Sequence, residues 1–541
     1  MRHTLRGSEM EAERTPKYLR VTQRSRLAPQ SQPGARALPV DTTVAVVGGG
    51  TMGAGIAQVA ATAGHPVLIY DSGEGACARA IASIRLGLDR LASRGKITRE
   101  QAEKANDCLA PATSLRELAC AGLVIEAIVE QLPAKQELFG KLEDIVSPEC
   151  ILASNTSSIS ITRIAAALRH PQRLVGMHFF NPVPQMELVE VIRGLASDAA
   201  VVQCVHDTAL AWGKTPVFAS STPGFIVNRL ARPYYAEGLR VLNERASRPA
   251  TIDAVMRESG GFRMGPFELM DLIGHDVNFA VTQSVFQACF NDPRFTPSLI
   301  QQELVHAGYL GRKTGRGFYH HGPEHVPPPI DDELTCSVPP VALQIFGSHP
   351  LVEVIRKRYK KGRIEYHGAR ADNLLLKAGP GRLYVTEGRT ATQQSYDYDM
   401  PDVVLVDLAL DYATTSRLAV TRSDQCSPRA YQAVAGVLQA CSFALSPMDD
   451  VPGMIVMRTV CMLINEAADA VNQGVCSAAD ADMAMQKGLN YPLGPLEWAN
   501  AIGVDNVVKV LQRLSATYGE DRYRVSPLLQ RLQAAKRKFH E

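Results

Sequence analysis

Residues 42–70 contain no Asp, Glu, Lys or Arg. Length alone would make such a window a membrane helix. Six glycines interrupt it, however, and they cluster after Val44-Ala45-Val46-Val47. A strand, a glycine turn and a helix explain that order better, and no other stretch is a credible span. The chain is therefore read as soluble, with no membrane partner. Gly48-Gly49-Gly50-Thr51-Met52-Gly53 contains G-x-G-x-x-G, and a second β-rich run, VLIYD, ends in Asp71 eighteen residues further on. That context is what a dinucleotide fingerprint requires. Gly48 permits the tight turn, Gly50 lets the backbone approach a pyrophosphate, and Gly53 lets helix and strand pack closely. The helix N-terminus supplies unpaired N–H groups and the positive end of its dipole. A carboxylate at Asp71 can accept both ribose hydroxyls and repels a 2′-phosphate, so NAD is the expected cofactor.

From residue 44 to about 220, β-rich runs alternate with helical stretches: VAVVG, VLIYD, LVIEAI, ILASN, LVGMHFF, LVEVI and TPVFA. Alternation of this kind argues a parallel sheet with helices on both faces. After Pro223 the pattern turns helical until about 310. Gly311–Tyr319 reads as a glycine-broken basic loop and Pro327-Pro328-Pro329 as a linker. Residues 330–445 are a weaker α/β region, either a decayed nucleotide-type fold or a spacer, with VVLVDLAL and RLAVT its clearest strands. A second helical block follows Pro452.

His178-Phe179-Phe180-Asn181-Pro182-Val183-Pro184 lies between two strand-like runs. A hairpin of 174–180 with 188–192, centred on Pro184, sets His178 opposite Glu190, where side chains on one face can touch. A carboxylate beside an imidazole fixes which nitrogen carries the proton. The pair suits removal of a hydroxyl proton while hydride leaves for a nicotinamide. A glutamate inside an apolar strand also needs a partner.

The two helical blocks are copies. Residues 223–276 align with 452–505 at a constant offset of 229, without a gap and with 16 identities in 54 positions. Among them are Arg229 with Arg458, Glu237 with Glu466, and Gly265-Pro266-x-Glu268 with Gly494-Pro495-x-Glu497. Average residue usage would give about three or four. Asn228 becomes Met457 in the copy, and no second H-F-F-N-P-x-P or G-x-G-x-x-G lies upstream of it. One active site per chain is expected.

V-G-G-G-T-M-G-A-G-I-A, S-N-T-S-S, H-F-F-N-P-V-P with L-V-E-V-I, T-P-G-F-I-V-N-R, G-P-F-E-L-M-D and G-R-K-T-G-R-G-F-Y resemble the L-3-hydroxyacyl-CoA dehydrogenases. The resemblance spans about 44–320, recurs weakly at 452–540, and points to the long bacterial form, often a 3-hydroxybutyryl- or 3-hydroxyadipyl-CoA dehydrogenase. It implies a Rossmann-type α/β NAD-binding domain followed by tandem all-α C-terminal domains. The expected divisions are a tail at 1–40, the NAD-binding domain at 41–221, helical copies at 222–322 and 451–541, and a linker with a degenerate α/β region at 323–450. It further implies NAD-dependent oxidation of (S)-3-hydroxyacyl-CoA in fatty-acid or phenylacetate and other aromatic-acid degradation, with no metal. His178 matches the base and Glu190 the carboxylate that orients it. Ser157 and Asn228 match the polar contacts to the reacting oxygen, Ser157 also lying near the nicotinamide. Met52, Glu130, Lys135, Asn181 and Lys313 match cofactor-side positions, beside Gly48, Gly50, Gly53 and Asp71. In short members two subunits pair through the helical domain. The tandem copy could supply that interface as an internal pseudo-dimer, with a homodimer of the whole chain left open.

The remaining readings come from composition. Lys and Arg number 57 against 55 acids, which gives no concentrated basic field for nucleic acid. Residues 1–40 hold eight basic residues and three acids and lack an apolar core, so they read as a disordered tail or an early start rather than a secretory signal. Eleven scattered cysteines without C-x-x-C fit a reducing cytoplasm. Two rivals stand beside the acyl-CoA reading: a same-fold dehydrogenase of a free hydroxyacid, and a non-catalytic NAD-binding protein. Acyl chain length, any preference for a terminal carboxylate, and the CoA contacts are not marked in the sequence.

Overall fold

A computed structural model describes residues 37–322, 326, 328–336 and 342–541. Except for residues 37–40, the basic tail lies outside the described residues. The first layer is an eight-stranded sheet: β1 Val44–Val47, β2 Val67–Tyr70, β3 Leu109–Pro111, β4 Leu123–Glu126, β5 Ile151–Ser154, β6 Leu174–Phe179, β7 Leu188–Arg193 and β8 Thr215–Ser220. Its order is β3-β2-β1-β4-β5-β6-β7-β8. All neighbours are parallel except β6 and β7. Strands β1, β4 and β5 are buried along their whole length, as helices on both faces demand. Only the short edge strand β3 has no counterpart among the runs read from sequence. Its three residues, one buried, carry too little periodicity to be seen.

The helical block follows with Val227–Leu230, Arg232–Asn243, Pro249–Glu258, Pro266–Ile273, His275–Ala288 and Leu299–His306. Its copy holds Val456–Asn472, Ala478–Leu489, Pro495–Ile502, Val504–Tyr518 and Pro527–Ala535. The shared Asp253 and Asp482 explain one of the retained turns. Each accepts the first amides of the next helix: Phe267 and Glu268 at 3.0 and 2.9 Å, Leu496 and Glu497 at 2.7 and 3.1 Å. Helix Arg232–Asn243 packs on Val456–Asn472, so the two copies share one interface.

The region between the copies is a folded sheet and not a spacer. It comprises β9 Ala342–Phe346, β10 Arg363–His367, β11 Leu376–Ala378, β12 Gly381–Val385, β13 Val403–Val406, β14 Arg417–Arg422 and β15 Ala444–Pro447. The order is β10-β9-β11-β12-β13-β14-β15. The offset of 229 extends into it: β7 maps onto β14, and helix Ala199–Ala211 maps onto Pro428–Ala440. Like β6 and β7, β13 and β14 are antiparallel, and β14 and β15 are parallel like β7 and β8. The duplication thus includes the far half of the first sheet as well as the helices.

Candidate active site

The glycine loop is closed by steric necessity. Gly48 has φ +111°, and a Cβ there would strike the Ala127 carbonyl. A Cβ on Gly53 would collide with the Gly48 carbonyl oxygen, so helix and turn touch through bare backbone. At Gly50 an added Cβ meets nothing within 4 Å, which leaves that side of the loop open to a pyrophosphate. Asp71, just past β2, accepts the amides of Gly49 at 2.6 Å and Gly73 at 2.8 Å. One carboxylate oxygen goes to each, so a lone pair on both is left for the ribose hydroxyls. These residues fit NAD.

Where β5, β6 and the first helix of the helical block converge, a cleft of about 350 Å³ opens, lined among others by Met52, Glu130, Lys135, Ser157, His178, Asn181 and Asn228. Seven of the residues expected at the site are thereby brought together. The hairpin places His178 directly opposite Glu190. His178 Nδ1 lies 2.6 Å from Glu190 Oε2. Glu190 is fully buried, and its other oxygen accepts the amides of Ile226 and Val227, both at 2.9 Å. One carboxylate therefore orients the imidazole and also fixes the helix start that carries Asn228. Asn228 Nδ2 points at the Ser157 carbonyl at 3.5 Å, across the cleft. With Glu190 ionised, Nδ1 carries the proton and Nε2 is the basic nitrogen left to the cleft.

Glu130 organises the Ser157 turn. It accepts the Thr156 hydroxyl at 2.6 Å, the Ser157 and Ser158 amides at 3.0 Å, and the Ser158 hydroxyl at 2.9 Å. Burial pushes its carboxyl up, but these donors and Lys135 outweigh that and hold it below the usual range. Lys135 is buried between Glu126 at 2.6 Å and Glu130 at 3.2 Å. Glu126 was not anticipated. It is fully buried at the end of β4 and also accepts the Ser154 hydroxyl at 2.6 Å. Its sequence signal was an acid inside LVIEAI, the same anomaly that marked Glu190. Asn155, also missed, lines the cleft and accepts the Phe179 amide at 2.8 Å.

Lys313 is not brought into this cleft. Its Nζ pairs with Asp276 at 2.5 and 2.7 Å, beside Gly274. The loop that carries it is pinned by Asp271, which accepts the Phe318 and Tyr319 amides at 2.9 and 3.0 Å.

The second half keeps a cleft of about 650 Å³ in the corresponding place, lined in part by Thr386, Leu408, Met457 and Trp498. At the common offset these replace Ser157, Phe179, Asn228 and Leu269. Asp407 stands where His178 stands, and Ala419, whose carbonyl accepts the Asp407 amide at 3.1 Å, where Glu190 does. Asp407 is fully buried and accepts the amides of Ile455, Val456 and Met457 at 2.9, 2.7 and 3.0 Å. The carboxylate that starts the helix has moved to the opposite strand, and the histidine–carboxylate pair is gone.

Three family models match parts of the chain. The 3-hydroxyacyl-CoA dehydrogenase NAD binding domain matches residues 43–222, and the C-terminal domain of that family matches twice, at 224–321 and 453–539. The 3-hydroxybutyryl-CoA dehydrogenase reduced Rossmann-fold domain matches 383–452. The chain is 44% identical to a 3-hydroxyadipyl-CoA dehydrogenase of Escherichia coli over 90% of its own length and 96% of that protein. The human mitochondrial hydroxyacyl-coenzyme A dehydrogenase is 40% identical over 51% of this chain and 90% of its own. A crystal structure of a 3-hydroxybutyryl-CoA dehydrogenase from Escherichia coli superposes with TM-score 0.83 at 42% identity, covering 92% of this chain and 98% of that one. No helix among the described residues is long and apolar enough to cross a membrane. The chain belongs to the 3-hydroxyacyl-CoA dehydrogenase family and is an NAD-dependent oxidoreductase.

Proposed function

We propose that the cleft oxidises the C3 hydroxyl of an (S)-3-hydroxyacyl-CoA with His178 as general base. The observation that carries this is the 2.6 Å contact between His178 Nδ1 and Glu190, which leaves Nε2 to a cleft shared with Ser157 and Asn228. His178 Nε2 takes the hydroxyl proton as the C–H bond at C3 breaks. NAD bound at the glycine loop supplies the hydride acceptor, which gives a 3-oxoacyl-CoA, NADH and one proton. In the reverse direction the imidazolium returns the proton to the forming alkoxide. Asn228 Nδ2 and the Ser157 hydroxyl donate to that oxygen and stabilise its developing charge. Glu190 is a positioning residue: it fixes the tautomer and the ring plane. Glu130, Lys135, Met52 and Asn181 form the cofactor side of the cleft. Lys313 joins them only if its loop moves from Asp276.

The names of similar proteins support a substrate between hydroxybutyryl-CoA at the small end and hydroxyadipyl-CoA at the polar end. The reaction's place is the oxidation step in the breakdown of fatty or aromatic acids. Loss of NADH absorbance with acetoacetyl-CoA tests the assignment. His178→Ala is expected to slow it by about 100-fold or more, as for loss of a general base. Equal rates in variant and wild type would remove His178 from that role.

A further inference from the structure

One helical turn past Asn228, Arg232 is buried with 5% of its surface exposed. Its Nε donates to the Asn228 carbonyl at 2.8 Å and its Nη1 to the Thr282 hydroxyl at 2.9 Å, with the Asn278 carbonyl at 3.5 Å. Among the described residues Nη2 has no hydrogen-bond partner and no carboxylate pairs with this guanidinium. The other buried arginines of the interface differ: Arg229 and Arg294 hold Glu466, and Arg458 holds Glu237 and Glu244. The Arg232 guanidinium carbon lies 4.9 Å from the centre of the Tyr235 ring. Tyr491, contributed by the second helical copy, is buried beside it, and its hydroxyl has no hydrogen-bond partner. The Tyr235 hydroxyl makes none either. Three donor groups from two copies therefore lie near one another with no protein acceptor among the described residues; of them the Tyr491 hydroxyl is the one wholly shut off from solvent, while Arg232 Nη2 and the Tyr235 hydroxyl stay open to a ligand. A buried hydroxyl without a partner is rare, and a largely buried guanidinium without a countercharge is costly. Burial accordingly lowers the Arg232 pKa.

The duplication supplies a control within the same chain. At the offset of 229, Arg232 corresponds to Cys461, Tyr235 to Ile464, and Tyr491 to Phe262. All three of these are buried. The mate position packs with no charge and no hydroxyl, so the fold does not require the Arg–Tyr–Tyr group.

We propose that Arg232, Tyr235 and Tyr491 receive the far carboxylate of an ω-carboxyacyl thioester whose C3 is held at His178 and Asn228. This rests on the dehydrogenase reading above and names the substrate class of that same site. A guanidinium with a free Nη2 and two hydroxyls matches a carboxylate's lone pairs. An acyl group of equal length that ends in methyl leaves all three donors unpaired, the situation in which a site built for a polar group rejects its apolar analogue most strongly.

The test compares kcat/KM for 3-oxoadipyl-CoA and 3-oxohexanoyl-CoA, equal in chain length, by NADH oxidation. Wild type is expected to favour the dicarboxylate by about 100-fold or more. Arg232→Met should shrink that ratio at least tenfold, Arg232→Lys should restore part of it, and Tyr491→Phe should reduce it several-fold. Tyr491→Phe removes only a hydroxyl that bonds nothing, so it keeps the test open should the arginine variant not fold. A wild-type ratio near one, or a ratio the same in all variants, overturns the proposal while leaving the dehydrogenase intact. A wild type that turns over neither thioester overturns the dehydrogenase reading itself.

Discussion

Arg229 and Glu466 stand 237 residues apart in the chain and 2.6 Å apart in space. Their duplicates, Arg458 and Glu237, meet at 2.7 Å across the same contact with the roles of the two copies exchanged. Residue i meets j while the duplicate of i meets the duplicate of j, which is the geometry of a two-fold dimer interface. Here it is drawn inside one chain, which supports the internal pseudo-dimer.

Breaking one of these pairs leaves a buried carboxylate short of a countercharge: without Arg458, Glu237 keeps Arg240 as its only ion-pair partner among the described residues. Arg458→Met is expected to cost about 3–5 kcal/mol, because Arg458 is fully buried and also binds Glu244, Tyr518 and Tyr523. Adding Glu237→Gln removes that under-compensated charge and should recover part of the loss. Urea denaturation of wild type, single and double variants measures it. A double variant no more stable than the single would show that the pair is not coupled.

Glu190→Gln keeps one oxygen for the Ile226 and Val227 amides but loses the charge facing His178. We expect kcat to fall by roughly 10- to 100-fold with KM for the thioester changed much less, since the residue acts through the base. Steady-state kinetics across pH would read this. An unaltered kcat and pH profile would mean that Glu190 serves only the helix start.

Gly53→Ala and Gly50→Ala separate fold from ligand. The first forces a methyl into the Gly48 carbonyl and should destabilise the domain and abolish NADH binding together. The second meets open space in the protein. Its melting temperature should stay within about 2 °C of wild type, a small free-energy change for a chain this size, while NADH binding weakens at least tenfold. Fluorescence titration with NADH distinguishes the two. Undiminished affinity in Gly50→Ala would move the pyrophosphate off this loop.

Asp407 titrates out of range. Burial pushes its carboxyl up to about 6, against the amides of Met457, Val456 and Ile455 that pull it down. The folded chain then keeps a proton that the unfolded chain releases near pH 4. The stability this group lends is complete below about pH 4 and is lost as pH rises through about 6, a swing of about 3 kcal/mol. Asp407→Asn should flatten that slope in denaturation experiments run between those limits. A slope equal to that of wild type would assign the proton to another group.

The sheet, the hairpin register and the His178–Glu190 contact were legible because each rests on local pattern: β-rich runs, turn prolines and an acid stranded among aliphatics. The reach of the duplication was not. Between 174–180 and 403–409 only Val175 and Val404 agree, and between 188–193 and 417–422 only Val191 with Val420 and Arg193 with Arg422. Strand pairing preserves backbone register and inward bulk and tolerates almost any apolar residue, so the copy survived in geometry after its letters had gone. Lys313 shows the converse. Its motif is clear in the sequence, but Asp271 and Asp276 decide where the loop holds it. Arg232 and Tyr491 were illegible because neither is unusual alone. Only the approach of the two helical copies sets them side by side.

A pair of identical subunits can change only in duplicate: every substitution on one side of the axis is imposed on the other. Joining the copies lifts that constraint. Arg232, Tyr235 and Tyr491 could become polar while their duplicates Cys461, Ile464 and Phe262 stayed apolar, because each position is now inherited separately. One half is free to drift from chemistry into a wall for its neighbour's substrate, and the chain gains an asymmetry that no homodimer of this fold can encode.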